Sequence, residues 1–222
     1  MKNIFKSYKI YTFIAILLFV CYLFFLYFRV TNIYVSGSTY GYHLQITSFL
    51  NRGDKNKSIF IISNKTLLNQ IMSVYPLASS VNVSKKFPSM VNVKINSSNI
   101  VYTYIYKGKS YFVGSNGGYI TGNITNIYPT VYSSIPLNYY YKTKLLSLVS
   151  KVDSQFLFSV NVYKLNNQYV SLTLSNGLIV LVNFNKSISL QISQIIDVEK
   201  TLDIKNCPIL NVEFSKIFCS GG

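Results

Sequence analysis

The chain has 222 residues and a formal net charge of +15, set by 21 Lys and Arg against 6 Asp and Glu. Half of it is hydrophobic and only 12% is charged, which fits one membrane segment plus one or two small domains. A single histidine excludes a multi-His metal site.

Residues 1–9 form a basic tail with Lys2, Lys6 and Lys9. No charged residue occurs in 10–28, and as helix this stretch spans roughly 28 Å, close to the hydrocarbon core of a bilayer. It is longer than a signal-peptide core and lacks an A-x-A cleavage pattern, so an uncleaved transmembrane helix is expected. Three lysines precede it and Arg29 follows. The positive-inside rule then puts the N-terminus in the cytoplasm and the later domains outside. The remaining lysines are scattered, which suits a solvated surface or attraction to an anionic lipid, an acidic wall polymer or an acidic partner. Nucleic acid is not expected for a chain that leaves the cytoplasm.

Residues 30–98 read as a β-α-α-β-β domain. Val30, Ile33 and Val35 begin a strand, and a short helix is expected from His43 to Leu50. Residues 51–58 (NRGDKNKS) read as a polar loop, and 59–62 as an extended lead-in. Ser63 and Asn64 cap a helix with Leu67, Leu68, Ile71 and Val74 at helical spacing, stopped by Tyr75-Pro76. Next, Val81 and Val83, then Val91, Val93 and Ile95, alternate with polar residues, and Phe87-Pro88 interrupts the ladder. This is a hairpin with one apolar face, its core assigned to Val81, Val83, Phe87, Pro88, Val91 and Val93. Val83 is expected to point toward Leu67 and Ile71.

Residues 99–222 read as a mainly antiparallel sheet with two helices. Strands are expected at 100–106, 110–113, 119–120, 156–163, 168–174 and 178–182, with short ones at 209–214 and 217–219. Leu145, Leu148, Val149 and Val152 mark one helix, and Ile188, Ile192, Ile195 and Ile196 another. Asn176-Gly177 is a strong two-residue turn signal, while 123–136 looks turn-rich and irregular.

Few residues suggest chemistry. Asp197 and Glu199 are the nearest acid pair, but two apart on a helix they do not face each other. The lone His43 lacks an evident nucleophile and orienting group. Gly114-Ser115-Asn116-Gly117-Gly118 joins two strands and has no P-loop lysine, so it reads as a hairpin turn. Cys21 lies in the apolar segment. Cys207 and Cys219 are either two free thiols or a disulfide in an oxidising compartment. Cys207 as a sortase-like nucleophile would need a matching His and Arg, and the only arginine after the apolar segment's flank is Arg52. No catalysis, cofactor or metal is expected.

The order of these weak signals resembles the bacterial cell-division family FtsQ (DivIB). The resemblance rests on Val30-Thr31-Asn32-Ile33-Tyr34-Val35-Ser36-Gly37, on Ile59 to Ile62 before the Leu67 helix, and on Pro76 followed by Val81 to Pro88. Tyr111 to Gly117, Asn176 to Leu181 and Leu210 to Phe214 resemble later strands of the family. Departures are Ser63 and Gly114 where the family has Asp, Ser189-Leu190 where it often has Lys-Leu, and Asn211 and Glu213 in place of a charged pair. The resemblance implies a short cytoplasmic tail (1–9), a transmembrane helix (10–28), a POTRA domain (30–98) and a β-domain (99–222), together α+β. It implies a non-enzymatic bitopic scaffold of the divisome, at the septum, that recruits FtsB-like and FtsL-like proteins and helps control septal wall synthesis. The docking strands would carry Ile209, Asn211, Glu213, Ser215, Ile217, Phe218 and Cys219. A POTRA-bearing envelope assembly or secretion component, and a membrane-anchored cysteine enzyme, are the alternatives.

Overall fold

The computed structural model describes residues 2–37, 39–122, 129–155, 160–166, 169–174, 178–201, 209–212 and 218–220. The chain is α+β, with five α-helices and two sheets among the described residues. It divides into two compact units, Met1–Ser97 and Ser98–Gly222.

The first unit opens with helix α1, Lys2–Tyr27. Among the described residues no helix is long and apolar enough to cross a membrane. This corrects the expected transmembrane helix at 10–28, and with it the single-pass placement and the inside-to-outside orientation. A span needs about 20 consecutive apolar residues. Between Lys9 and the end of α1 at Tyr27 the stretch is shorter, and it is interrupted by Tyr11, Thr12 and Tyr22.

Then come β1 (Asn32–Gly37), α2 (His43–Asp54), a single 3-10 turn (Ile59–Ile61), α3 (Asn64–Val74), β2 (Ala78–Lys86) and β3 (Met90–Ser97). The sheet order is β1-β3-β2. β2 and β3 form an antiparallel hairpin, with Val81 opposite Ile95 and Val83 opposite Val93. β1 runs parallel to β3, which the two intervening helices permit by crossing back over the sheet. α2 packs on β1 and α3 on β2. Ile46 and Leu50 from α2, Leu67 and Ile71 from α3, and Val91, Val93 and Ile95 of β3 are all at most 1% exposed and form the buried core of this unit. Each such side chain contributes roughly 1.5–3 kcal/mol by leaving water.

Local chemistry explains the helix limits. Ser63 caps α3, its Oγ accepting the Thr66 N–H at 3.2 Å. Tyr75, which caps its C-terminus, is buried, and its hydroxyl donates to Ser97 Oγ at 2.7 Å. Burial pushes the Tyr75 phenol up to about 12. α2 continues past Leu50 to Asp54, through what the sequence suggested was loop. The added turn buries the Asp54 carboxylate, which accepts from Lys57 Nζ at 2.7 Å. Residues 59–61 form a 3-10 turn instead of an extended lead-in, with Ser58 Oγ accepting the Phe60 N–H.

The second unit holds a nine-stranded sheet in the order β12-β11-β10-β9-β8-β7-β4-β5-β6. β4 (Ile100–Tyr106), β5 (Lys109–Gly114) and β6 (Tyr119–Thr121) make an antiparallel meander. β7 (Thr130–Ser133) lies parallel between β4 and β8 (Val160–Asn166). β8, β9 (Tyr169–Leu174) and β10 (Ile179–Asn183) are antiparallel. β11 (Ile209–Asn211) is parallel to β10, and β12 (Phe218–Ser220) is antiparallel to β11. The two helices, α4 (Tyr139–Gln155) and α5 (Ile188–Thr201), are the crossovers β7-α4-β8 and β10-α5-β11 between parallel neighbours.

β7 lies inside the stretch expected to be irregular. Flanking Pro129, Ser134 and Pro136 mask a four-residue strand whose Val131 is fully buried and whose two edges are both paired. The strand expected at 156–163 is described only from Val160, and the Asn176-Gly177 turn lies outside the described residues. Leu145, Leu148, Val149 and Val152 of α4 pack with Ile188, Ile192 and Ile195 of α5 in one core with the sheet.

That core contains an unsatisfied polar atom. Tyr102 on β4 is fully buried, and among the described residues its hydroxyl has no hydrogen-bond partner. Burial raises its pKa, and Tyr104 beside it raises it further, so the phenol stays neutral. A buried unpaired hydroxyl costs on the order of 1–3 kcal/mol. Tyr102→Phe is therefore expected to stabilise the chain by about 1–2 kcal/mol, raising Tm by roughly 2–6 °C. A calorimetric scan beside the parent protein checks the sign.

Candidate docking edge

The late strands are positioned by a buried side-chain clamp. Asn183 ends β10, beyond the last residue of β10 that pairs with β11. Gln191, one turn into α5 and 1% exposed, takes over there. Its Oε1 accepts the Asn183 N–H at 2.7 Å, and its Nε2 donates to the Asn183 carbonyl at 2.8 Å and to the Ser187 carbonyl at 3.3 Å. The helix is thereby tied to the end of β10.

β11 alternates its faces. Leu210 and Val212 are buried at 2% and 1%, while Ile209 is half-buried. Leu210 pairs with Val180 on one side and with Cys219 on the other. Asn211 stands opposite Leu181 and Phe218. β12 ends the sheet, and no described strand lies beyond it. An outermost strand presents backbone N–H and C=O groups on its far side. Of the residues assigned to docking, Ile209, Asn211, Phe218 and Cys219 therefore fall on the last two strands. Glu213, Ser215 and Ile217 lie outside the described residues, as does Cys207 and hence the question of a Cys207–Cys219 disulfide.

The hairpin candidates of the first unit separate. Val81, Val91 and Val93 are buried, while Val83 and Pro88 are half-buried. Phe87, expected in the core, is 58% exposed. It sits at the hairpin tip, past the final pair Lys86–Met90, where no sheet neighbour covers it. Its ring instead meets Phe28 at 6.0 Å and Phe60 at 5.7 Å.

The remaining chemical candidates are scattered. His43 starts α2, and its Nε2 lies 2.8 Å from the Val35 carbonyl, tying that helix to β1. Gly114 to Gly118 is a tight turn between β5 and β6, closed by Gly117 N–H to Gly114 C=O at 2.8 Å. Asp197 is exposed on α5. Cys21 is an exposed free thiol on α1. Among the described residues no three His, Cys, Asp or Glu side chains come together as a metal site. Sequence reasoning missed the Gln191 clamp. The only signal for it was a polar residue on the buried stripe of α5, between Ile188 and Ile192.

Compared with models of protein families and with curated proteins, the chain matches none.

Proposed function

We propose that this chain is a non-enzymatic scaffold of the FtsQ (DivIB) type, recruiting FtsB-like and FtsL-like division proteins and so taking part in control of septal wall synthesis. The observation that carries this reading is the terminal position of β12 in a sheet whose last strands hold Ile209, Asn211, Phe218 and Cys219. The physical mode is β-augmentation: an extended partner segment adds main-chain hydrogen bonds to the edge, and side-chain pockets supply specificity. The β-α-α-β-β order of the first unit, ahead of a separate sheet, also supports the reading.

Phe218→Pro tests it. Proline removes one backbone donor from β12 and resists the strand geometry, while the core of the unit rests on strands and helices further in. The variant is expected to melt close to the parent and to lose pull-down of the FtsB-like protein from its own cells. Depletion of the chain is expected to give filaments with failed septa. Unchanged partner capture by a folded Phe218→Pro variant would move docking away from β12. Normal division after depletion would remove the divisome reading itself.

A further inference from the structure

The first unit carries a second surface, at the tip of the β2–β3 hairpin. Phe24 near the end of α1, Phe28 just beyond it, Phe60 from the 3-10 turn and Phe87 from the tip bring four rings together. The Phe28 ring centre lies 4.4 Å from that of Phe24, 5.2 Å from Phe60 and 6.0 Å from Phe87. Phe24, Phe60 and Phe87 are each more than half exposed, as is Ile61 beside them in sequence. The backbone beneath them is fixed: the Ile59 N–H donates to the Phe28 carbonyl and the Thr31 N–H to the Ser89 carbonyl, both at 2.9 Å. Single exposed rings are ordinary, but rings from three segments in mutual contact make a contiguous apolar patch. Cations border it. Lys85 Nζ donates to the Phe60 carbonyl at 3.3 Å, the Arg29 guanidinium lies 5.5 Å from the Phe25 ring centre, and exposed Lys86 adjoins Phe87. Among the described residues none of the three has a carboxylate partner. Residues 1–97 hold eleven Lys and Arg and a single acid, Asp54, which is buried and paired with Lys57.

We infer that this tip rests on an anionic lipid surface, with Phe60 and Phe87 entering the boundary between headgroups and acyl chains and Arg29, Lys85 and Lys86 meeting lipid phosphates. A rim of donors only, around an apolar tip, suits a surface that is negative outside and apolar just beneath, which is the layering of an anionic bilayer. Lys and Arg side chains reach outward to the headgroups while their stems stay on apolar surface. Because the rings already stand on a fixed backbone, little ordering is left to be done on contact. The contact is peripheral, at headgroup depth, and no segment crosses the bilayer. It lies wholly in the first unit and does not depend on the docking proposed for β12 in the second.

The chain has no tryptophan, so Phe87→Trp in the full chain places a single fluorescent reporter at the tip. With vesicles of equal parts phosphatidylcholine and phosphatidylglycerol, its emission is expected to shift to the blue and to be quenched by lipids brominated near the top of the acyl chain. Phe60→Trp should report the same from the 3-10 turn, which guards against a local fault at either position. Leu44→Trp, 80% exposed near the start of α2 and at the far end of β1 from the tip, should stay in water. In the Phe87→Trp background, Lys86→Gln should raise the lipid concentration at half shift about fivefold, the scale of one cation at an anionic surface. Lys94→Gln, at an exposed position within β3, should change it less. The α1 helix also exposes apolar side chains, so vesicle binding with the reporters at 60 and 87 still in water would overturn the proposal. Equal shifts on vesicles of phosphatidylcholine alone, or equal effects of Lys86→Gln and Lys94→Gln, would overturn it too. A patch that serves a protein partner instead would leave both reporters unmoved by either vesicle.

Discussion

Gly37→Ala is expected to abolish the native packing of the first unit. Gly37 closes β1, opposite Ile95 of the central strand β3, with φ at +111°. That conformation is open to glycine and strained for any residue with a Cβ. The space is closed as well: a Cβ there would lie 2.0 Å from the Ile95 carbonyl oxygen and 3.0 Å from its carbon. These are backbone atoms of a strand paired on both sides, so they cannot rotate away as a side chain would. Strain and clash together cost at least about 3 kcal/mol, a large part of the roughly 5–15 kcal/mol available to a domain. Hydrogen exchange at the β1 and β3 amides would report the loss as protection falling toward that of an unfolded chain. Gly53→Ala is the internal control. Gly53 lies within α2 with nothing within 4 Å of its would-be Cβ, so alanine should stabilise by about 0.5–1 kcal/mol through helix propensity. Parent-like protection in Gly37→Ala would mean that β1 does not pair with β3 in this register.

Gln191→Leu is expected to destabilise the second unit by about 2–5 kcal/mol. The substitution keeps the volume and apolar stem but removes the carboxamide that serves both backbone groups of Asn183. Asn183 is 6% exposed, so water cannot readily replace either bond, and each unpaired group costs roughly 1–3 kcal/mol. The neighbouring change Leu190→Gln, at a side chain 59% exposed, should stay within about 0.5 kcal/mol. Urea titration separates the two: the Gln191→Leu midpoint should fall while the slope remains that of the parent. A midpoint equal to that of Leu190→Gln would show that the clamp is dispensable. On the proposed scaffold reading, weakening the clamp is also expected to lower partner capture along with stability.

Two kinds of information separate in this chain. Features encoded within about a dozen residues were legible in the sequence. The spacing of Leu67 and Ile71 after Ser63 marks α3, and the alternation of Val91, Val93 and Ile95 marks a one-faced strand. Both are periodicities of a local backbone, set by 3.6 and 2 residues per repeat. The helical stripes of α4 and α5 were readable for the same reason. The terminal short strands were readable as strands, but their partners were not.

The tertiary structure decided what faces what. Alternation specifies a buried face but not a neighbour, so nothing local says that β1 pairs parallel to β3, or that β7 lies between β4 and β8. The four residues of β7 become a strand because both of their edges are paired by segments distant in sequence. The length of α2 was set by a buried carboxylate finding Lys57, against the polar look of the loop. Phe87 left the core because the sheet ends one pair before it. Gln191 became a clamp only when α5 folded over the end of β10, since a hydrogen bond depends on where two groups meet in space and leaves no period in the sequence.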